Sequence, residues 1–225
     1  MWVNLWKIPL KSELMKSRLI CISGPDGTGK TTQASLLIDS LEKSGSSYEY
    51  EWLRFHHFLS LPLLGLARVM GLSEVVELDN GEKIGYHYFY RSKVVSNLYK
   101  ASMFLDTFLY TICKVYIPLT LFKKRLVCDR FIYDTLVDLA ISTGDCEIHN
   151  SKTGKLLLKL LPGDCKIIFL ITDEKTLQER RYELGHDQNL KQKIQLYEEL
   201  AEEFGLPILN ASLPVTTINK KLIRM

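Results

Sequence analysis

The amino-acid sequence predicts an α/β fold in which helices cover both faces of a parallel β-sheet. Five short apolar or β-rich runs alternate with helical patterns along the chain. The first run, Leu-Ile-Cys-Ile, is almost continuously hydrophobic, which is typical of a central parallel strand, and it leads through a glycine-rich turn into a helix. The length of 225 residues favours one domain with an insertion over two complete domains.

Five strands are predicted, at 18–23, 48–55, 125–128, 166–172 and 207–210. Helices are predicted at 32–43, 61–70, 85–122 with a kink near Pro118, 131–143, 153–161, 173–184 and 187–204, and after Pro214. Because the interval 56–122 carries no strand signal, we expect it to be a helical insertion that faces a substrate.

Composition narrows the class of protein. With 46% hydrophobic residues the chain can bury a large core, and a net charge of +3 gives no reason to expect a nucleic-acid partner. The most apolar stretch, 99–122, contains Lys100, Asp106 and Lys114, so we expect a buried helix there and no membrane contact. The five cysteines include no Cys-x-x-Cys pair, and we expect reduced core residues of a cytoplasmic protein; a disulfide or metal site is the alternative.

The first residues have too little apolar length, and no small-residue cleavage site, for a secretory signal. Met15 is followed by Lys-Ser-Arg and then directly by the first strand. We therefore interpret 1–14 as an extension, mobile or translated from an upstream mis-start, and 15–225 as the domain. Packing of Trp2 and Trp6 into the core would contradict this interpretation.

The motif that indicates chemistry follows the first strand. Gly24-Pro-Asp-Gly-Thr-Gly-Lys-Thr31 has the P-loop spacing, in which glycines turn successive N–H groups inward and a helix N-terminus adds its positive dipole. We expect Lys30 to bridge the β- and γ-phosphates of ATP and Thr31 to bind Mg²⁺. A purely structural glycine turn is the alternative. The predicted phosphate-binding residues are Gly24, Pro25, Asp26, Gly27, Thr28, Gly29, Lys30, Thr31 and Thr32.

Other features decide among the P-loop classes. A GTPase would carry Asn-Lys-x-Asp, but the nearest string, Asn219-Lys-Lys-Leu, lacks the aspartate. Mechanical ATPases usually need a larger domain, so a small-molecule kinase fits the length best. Asp129 and Arg130 follow the third predicted strand, at the sheet edge where ligands bind. Asp129 could hold Mg²⁺ and Arg130 could bind an acceptor phosphate, although a weak surface ion pair is the alternative.

These segments resemble the thymidylate kinase branch of the P-loop nucleoside monophosphate kinases, and the similarity runs from Leu19 to about Ile223. It rests on 22–33, Asp129-Arg-Phe131, 173–181 and 208–212. The resemblance implies a three-layer P-loop kinase fold with strand order 2-3-1-4-5. It also implies transfer of the ATP γ-phosphoryl group to a nucleoside monophosphate, with dTMP giving dTDP as the expected reaction, and a homodimer formed through helices such as the apolar pattern at 94–117.

The resemblance also assigns roles. Asp26 would bind the sugar 3′-hydroxyl of the acceptor. Because Gly27 stands where some members carry arginine, the catalytic arginine would come from a short lid at 180–187, as Arg180 or Arg181. Either arginine could instead pair with Glu183 or Asp187. The expected catalytic residues are Lys30, Arg130, Arg180 and Arg181.

The acceptor region departs from the family pattern. Arg54-Phe-His-His-Phe replaces Phe-Pro-x-Arg, so Arg54 would have to reach the pocket from another position, and we expect His56 and His57 to lie in a loop. Arg91 matches an arginine that meets the acceptor phosphate, but His87 stands where the family has a base-stacking phenylalanine. Tyr86 or Tyr90 could stack instead.

Asp134 and Asp138 lie four residues apart on one predicted helix face, where the family usually has Asp-Arg-Tyr-x-x-Ser. They could pair with Arg130, or accept hydrogen bonds from an amino-bearing base or a hydroxyl-rich acceptor, which raises the hypothesis that the acceptor is not dTMP. A kinase for a nucleoside or other small molecule, and a non-catalytic ATP-binding protein, are the two rivals. The expected acceptor-binding residues are Asp26, Arg54, His87, Arg91, Arg130, Phe131, Asp134 and Asp138.

Overall fold

The computed structural model describes residues 13–54, 57–81 and 83–225. These residues form the strands β1 (Leu19–Ser23), β2 (Glu49–Trp52), β3 (Ser73–Glu77), β4 (Lys83–His87), β5 (Leu126–Asp129), β6 (Cys165–Ile171) and β7 (Ile208–Asn210). Their helices are α1 (Lys30–Lys43), α2 (Leu61–Val69), α3 (Lys93–Thr111), α4 (Ile117–Thr120), α5 (Ile132–Thr143), α6 (Lys152–Leu158), α7 (Glu174–Arg180), α8 (Leu190–Phe204) and α9 (Val215–Arg224). Among the helices of the described ranges, none has the length and apolar character needed to cross a membrane.

The central sheet has five parallel strands in the order β2-β5-β1-β6-β7, and helices flank it. This confirms the predicted α/β fold with a five-stranded parallel sheet. The strand numbering differs from the predicted 2-3-1-4-5 because β3 and β4 lie between β2 and β5 in the chain and form a separate two-stranded sheet. When only the strands of the central sheet are numbered, their order is the predicted one.

The prediction that 56–122 contains no strand is wrong. β3 and β4 pair as an antiparallel hairpin from Ser73 opposite His87 to Glu77 opposite Lys83, near an Asp-Asn-Gly turn in which Gly81 has a φ of 82°. The predicted helix at 85–122 therefore begins only at Lys93, after Ser92 caps α3. A π-helical turn, Ile112–Tyr116, joins α3 to α4.

The sheet separates two hydrophobic clusters. Successive residues of β1 point to opposite faces, so Leu19 and Cys21 join the cluster beneath α3, α5 and α8, whereas Ile20 and Ile22 join the cluster beneath α1 and α9. Burial on both faces explains the continuous apolar run of this strand. All five cysteines are free, but the expectation of core positions fails for Cys113 and Cys146, which are exposed.

The packed core begins before Met15. Leu14 is 1% exposed, and the Tyr48 hydroxyl donates hydrogen bonds to the carbonyl oxygens of Ser17 (2.7 Å) and Leu14 (3.3 Å). Leu14 thus belongs to the folded domain, not to a loose extension. Trp2, Trp6 and the rest of 1–12 lie outside the described residues.

Candidate functional site

The loop between β1 and α1 can adopt its conformation only with glycine at key positions. Gly24, Gly27 and Gly29 have φ values of 142°, 81° and 85°, in the region that side chains disfavour. A Cβ atom on Gly24 would lie 2.1 Å from the carbonyl oxygen of Leu170 in β6. The loop therefore packs directly on the sheet, and it leads into the N-terminus of the 14-residue α1, an arrangement suited to anions.

The side chain of Lys30 folds back into this loop. Its Nζ donates hydrogen bonds to the carbonyl oxygens of Gly24 (2.7 Å) and Pro25 (2.6 Å), and the residue is 4% exposed. Burial, followed by the nearby charge of Arg130, lowers the pKa of Lys30 to about 7. These carbonyl groups accept hydrogen bonds from Lys30 but carry no full negative charge. An anion bound in the loop would provide that charge.

Asp129 and Thr31 form a small oxygen-rich cluster at the end of β5. The Thr31 hydroxyl donates to Asp129 Oδ2, and the Tyr50 hydroxyl lies 3.2 Å from the same oxygen. Within the described part of the chain, nothing donates a hydrogen bond to the buried Asp129 Oδ1. A hydroxyl beside a carboxylate with an unsatisfied oxygen suits Mg²⁺, which prefers oxygen ligands and commonly shares them with phosphates.

Four charged side chains link the loop to α5. Asp26 lies between two guanidinium groups: Arg130 Nη2 contacts Asp26 Oδ1, and Arg54 Nη1 lies 3.0 Å from Asp26 Oδ2. Arg54 also binds Asp138 through two hydrogen bonds of 3.0 Å. Burial opposes ionisation of Asp26, but the charges of Arg130, Arg54 and Lys30 outweigh it and hold the pKa of Asp26 well below its usual range.

Arg130 is held in an unusual backbone conformation. Its φ is 71°, in the left-handed region that non-glycine residues rarely adopt. Asp134, 1% exposed, accepts hydrogen bonds from Arg130 Nη1 (3.0 Å), the Tyr197 hydroxyl (2.7 Å) and the Phe131 amide (3.0 Å). Asp134 therefore pairs with Arg130, which is one of its two predicted roles, and is not positioned to bind an acceptor directly.

Two cavities meet at this network. The loop cavity, about 490 Å³, is lined by Asp26, Gly27, Gly29, Lys30, Thr31, Thr32, Trp52, Arg54, Asp129, Arg130, Arg180 and Arg181. The hairpin cavity, about 390 Å³, lies between β4, α3, α5 and the segment around 181–193. Asp26, Arg54 and Arg181 line both cavities, so these three residues mark the junction.

Some predicted acceptor residues lie elsewhere. His87 and Asp138 line the hairpin cavity, but Arg91 is exposed, and its guanidinium carbon lies 4.4 Å from the centroid of the Tyr88 ring. Phe131 is 3% exposed and belongs to the core. Gly24, Pro25 and Thr28 stand behind the cavity lining, where their groups bond to Lys30 or to each other.

The two alternative stacking residues also face away from the cavities. Tyr86 is buried, and its hydroxyl donates to the carbonyl oxygen of His186 (2.8 Å), whereas Tyr90 is 53% exposed. Neither contributes to the lining of the hairpin cavity.

The predicted site residues did not include His57, Lys83 or Lys193, which also line the hairpin cavity. His57 lines the hairpin cavity with Nδ1 2.9 Å from Ser60 Oγ, and burial lowers its pKa; His56 lies outside the described residues. His87 is similarly fixed, with Nδ1 2.8 Å from Ser73 Oγ, and its pKa is lowered by burial and then by His57. The positions of Lys83 and Lys193 depend on how the hairpin and α8 pack, which no local sequence motif specifies.

No protein-family model matches the chain, and neither does any curated protein sequence.

Proposed function

We propose that this chain is an ATP-dependent kinase that transfers the γ-phosphoryl group to a nucleoside monophosphate, with dTMP to dTDP as the expected reaction. The observation that carries the proposal is the junction of the two cavities at Asp26, Arg54 and Arg181. The loop cavity suits the phosphates of ATP, and the hairpin cavity has a volume within the range of small-molecule sites, about 300–1,000 Å³.

The groups in and around the two cavities would have distinct tasks in such a transfer. Loop N–H groups and Lys30 would hold the donor phosphates, while Arg130 and Arg54 would neutralise the acceptor phosphate. An anionic acceptor would compete for the guanidinium groups that bind Asp26 and free this carboxylate to accept a hydrogen bond from the sugar. Mg²⁺, when held by Thr31 and Asp129, would neutralise charge on the phosphate oxygens.

An ATP-consumption assay with Mg²⁺ and a panel of nucleosides and nucleoside monophosphates tests the proposal. ADP release that depends on a monophosphate, most strongly on dTMP, would support it. A preference for unphosphorylated acceptors would favour the nucleoside kinase. Tight ATP binding without acceptor-dependent ADP release would favour the non-catalytic protein.

Asp138 tests the hypothesis of a different acceptor. Both of its oxygens are bonded to Arg54, which favours an ion-pair role over direct contact with a base. If dTMP is phosphorylated efficiently and Asp138→Asn leaves acceptor choice unchanged, the altered-acceptor hypothesis fails.

The pKa of Lys30 predicts that ATP binding is coupled to proton uptake. At pH 8 most Lys30 side chains are neutral, because their pKa is about 7, and bound phosphates would favour the charged form. We expect the wild-type protein to take up about one proton more than Lys30→Met on binding ATP at pH 8, and no more at pH 5.5. Calorimetry in buffers of different ionisation enthalpy measures the difference, and equal uptake by the two proteins at pH 8 would contradict the prediction.

The expected homodimer has a candidate surface on α3. Val94, Leu98, Leu105 and Leu109 are 68%, 53%, 46% and 48% exposed and recur at helical spacing. We propose that two copies pack through this stripe. Leu98→Glu combined with Leu105→Glu should convert a dimer into a monomer in light scattering, because it places charges in an apolar contact. Val215→Glu, on the opposite side of the sheet, should leave the dimer intact. A monomeric wild-type protein would refute the proposal.

A further inference from the structure

The segment after α7 packs against the loop between β1 and α1. We call 181–188 the lid segment; it contains a 3₁₀ turn, Tyr182–His186. Leu184 is 5% exposed and lies so close to the loop that a Cβ atom on Gly27 would be 2.8 Å from its Cδ1 atom. The lid segment therefore rests on the loop that would bind ATP.

A second anchor comes from the hairpin. The Tyr86 hydroxyl donates a hydrogen bond to the carbonyl oxygen of His186 (2.8 Å) and accepts one from the amide of Gln188 (3.4 Å). Tyr86 is 4% exposed, which fixes the ring. Its neighbours in β4, Gly85 and His87, line the hairpin cavity, so the strand that forms the cavity wall also holds the lid segment.

Arg181, at the junction, begins the lid segment and lies beside the loop anchor, with its Cδ 3.6 Å from the position of a Cβ atom on Gly27. Arg181 lines both cavities and forms an ion pair with Glu183, which lines the hairpin cavity. Without the Tyr86 contacts, the lid segment would keep the packing of Leu184 and the ion pair between Asp187 and Lys193 of α8 (2.7 Å), but it would lose its tie to β4. Arg181 would then sample positions away from the junction. At the junction itself an arginine is best placed to stabilise a transferring phosphoryl group.

We propose that Tyr86 is a positioning residue whose hydroxyl ties the lid segment to the wall of the acceptor cavity and so holds Arg181 at the junction. The expected effect on kcat rests on the proposed function, whereas the tie between Tyr86 and the lid segment does not. An acceptor seated against β4 and a donor seated in the loop would both be aligned with Arg181 through this tie.

Tyr86→Phe tests the proposal because it removes the hydroxyl and keeps the ring. We expect kcat to fall roughly 10-fold, with KM for ATP nearly unchanged and the melting temperature within a few degrees of the wild type. Tyr88→Phe is the matched control, since the Tyr88 hydroxyl donates to Glu74 (3.3 Å) at the exposed surface, away from the lid segment. In the background of Arg181→Ala, Tyr86→Phe should cause little further loss of kcat, because both changes act on the same group.

A second measurement does not depend on activity. Hydrogen exchange of the amides at 182–188 should be roughly 10-fold faster in Tyr86→Phe than in the wild type, with α5 unchanged. Unchanged exchange in the lid segment, or an equal effect of Tyr88→Phe, would overturn the proposal. If the wild type transfers phosphate to no acceptor, the proposed function fails, and the exchange comparison still decides whether Tyr86 holds the lid segment.

Discussion

Replacing Lys30 with methionine should lower kcat for phosphoryl transfer by about 1,000-fold. The side chain is buried in the loop between β1 and α1, where its ammonium group donates hydrogen bonds to two backbone carbonyl oxygens. Methionine has a similar shape and no charge, so it would fill the same space without stabilising the charge that develops on the phosphoryl oxygens. A single-turnover assay with saturating ATP and acceptor measures the effect on chemistry.

The stability of the same variant provides the control. Because the pKa of Lys30 is lower in the folded protein than the ordinary value of 10.5, unfolding takes up a proton between pH 7 and pH 10.5. The free energy of unfolding of the wild type should therefore increase through the titration of Lys30 as pH rises through that window. Lys30→Met should lack this increase. Loss of activity with normal circular dichroism supports the assignment, whereas retention of more than about a tenth of wild-type kcat would refute it.

The central sheet could be predicted chiefly because β1, β5 and β6 are short apolar runs, which is typical of buried parallel strands. The hairpin could not, for a physical reason. Val75 and Ile84 alternate with charged or small residues in strands that are mostly exposed, and the aromatic run at 86–90 has a spacing that suits a helix equally well. Only packing of β4 against α5 decides between the two conformations.

The candidate site likewise contains residues that a local motif predicts and contacts that depend on packing. Lys30, Thr31 and Asp129 follow from a local motif and a strand end, since backbone geometry alone brings them together. The pairing of Arg54 with Asp138 joins residues 84 positions apart, and the pairing of Tyr86 with the lid segment depends on where one hydroxyl points. Such contacts are set by side-chain rotamers in the packed structure, which residue spacing does not specify.

Arg180, at the end of α7, and Arg181, at the start of the lid segment, should have separable effects on catalysis. Arg181 lines both cavities and is held near the junction by Glu183. Arg180 is bonded to backbone carbonyl oxygens, with Nη2 2.8 Å from that of Ala211 and Nη1 3.4 Å from that of Gly27. These contacts place Arg181 where the acceptor and donor would meet, and Arg180 on the side of the loop cavity.

Arg181→Ala is therefore expected to lower kcat by about 100- to 1,000-fold with little change in KM for ATP, because its charge matters most when negative charge spreads over the transferring group. Arg180→Ala should act mainly on ATP affinity and lower kcat less than about 10-fold. Initial-rate kinetics with both substrates varied distinguish the two patterns. The reverse result, with the larger loss of kcat in Arg180→Ala, would assign the catalytic role to Arg180, and its carbonyl contacts would then have to break when ATP binds.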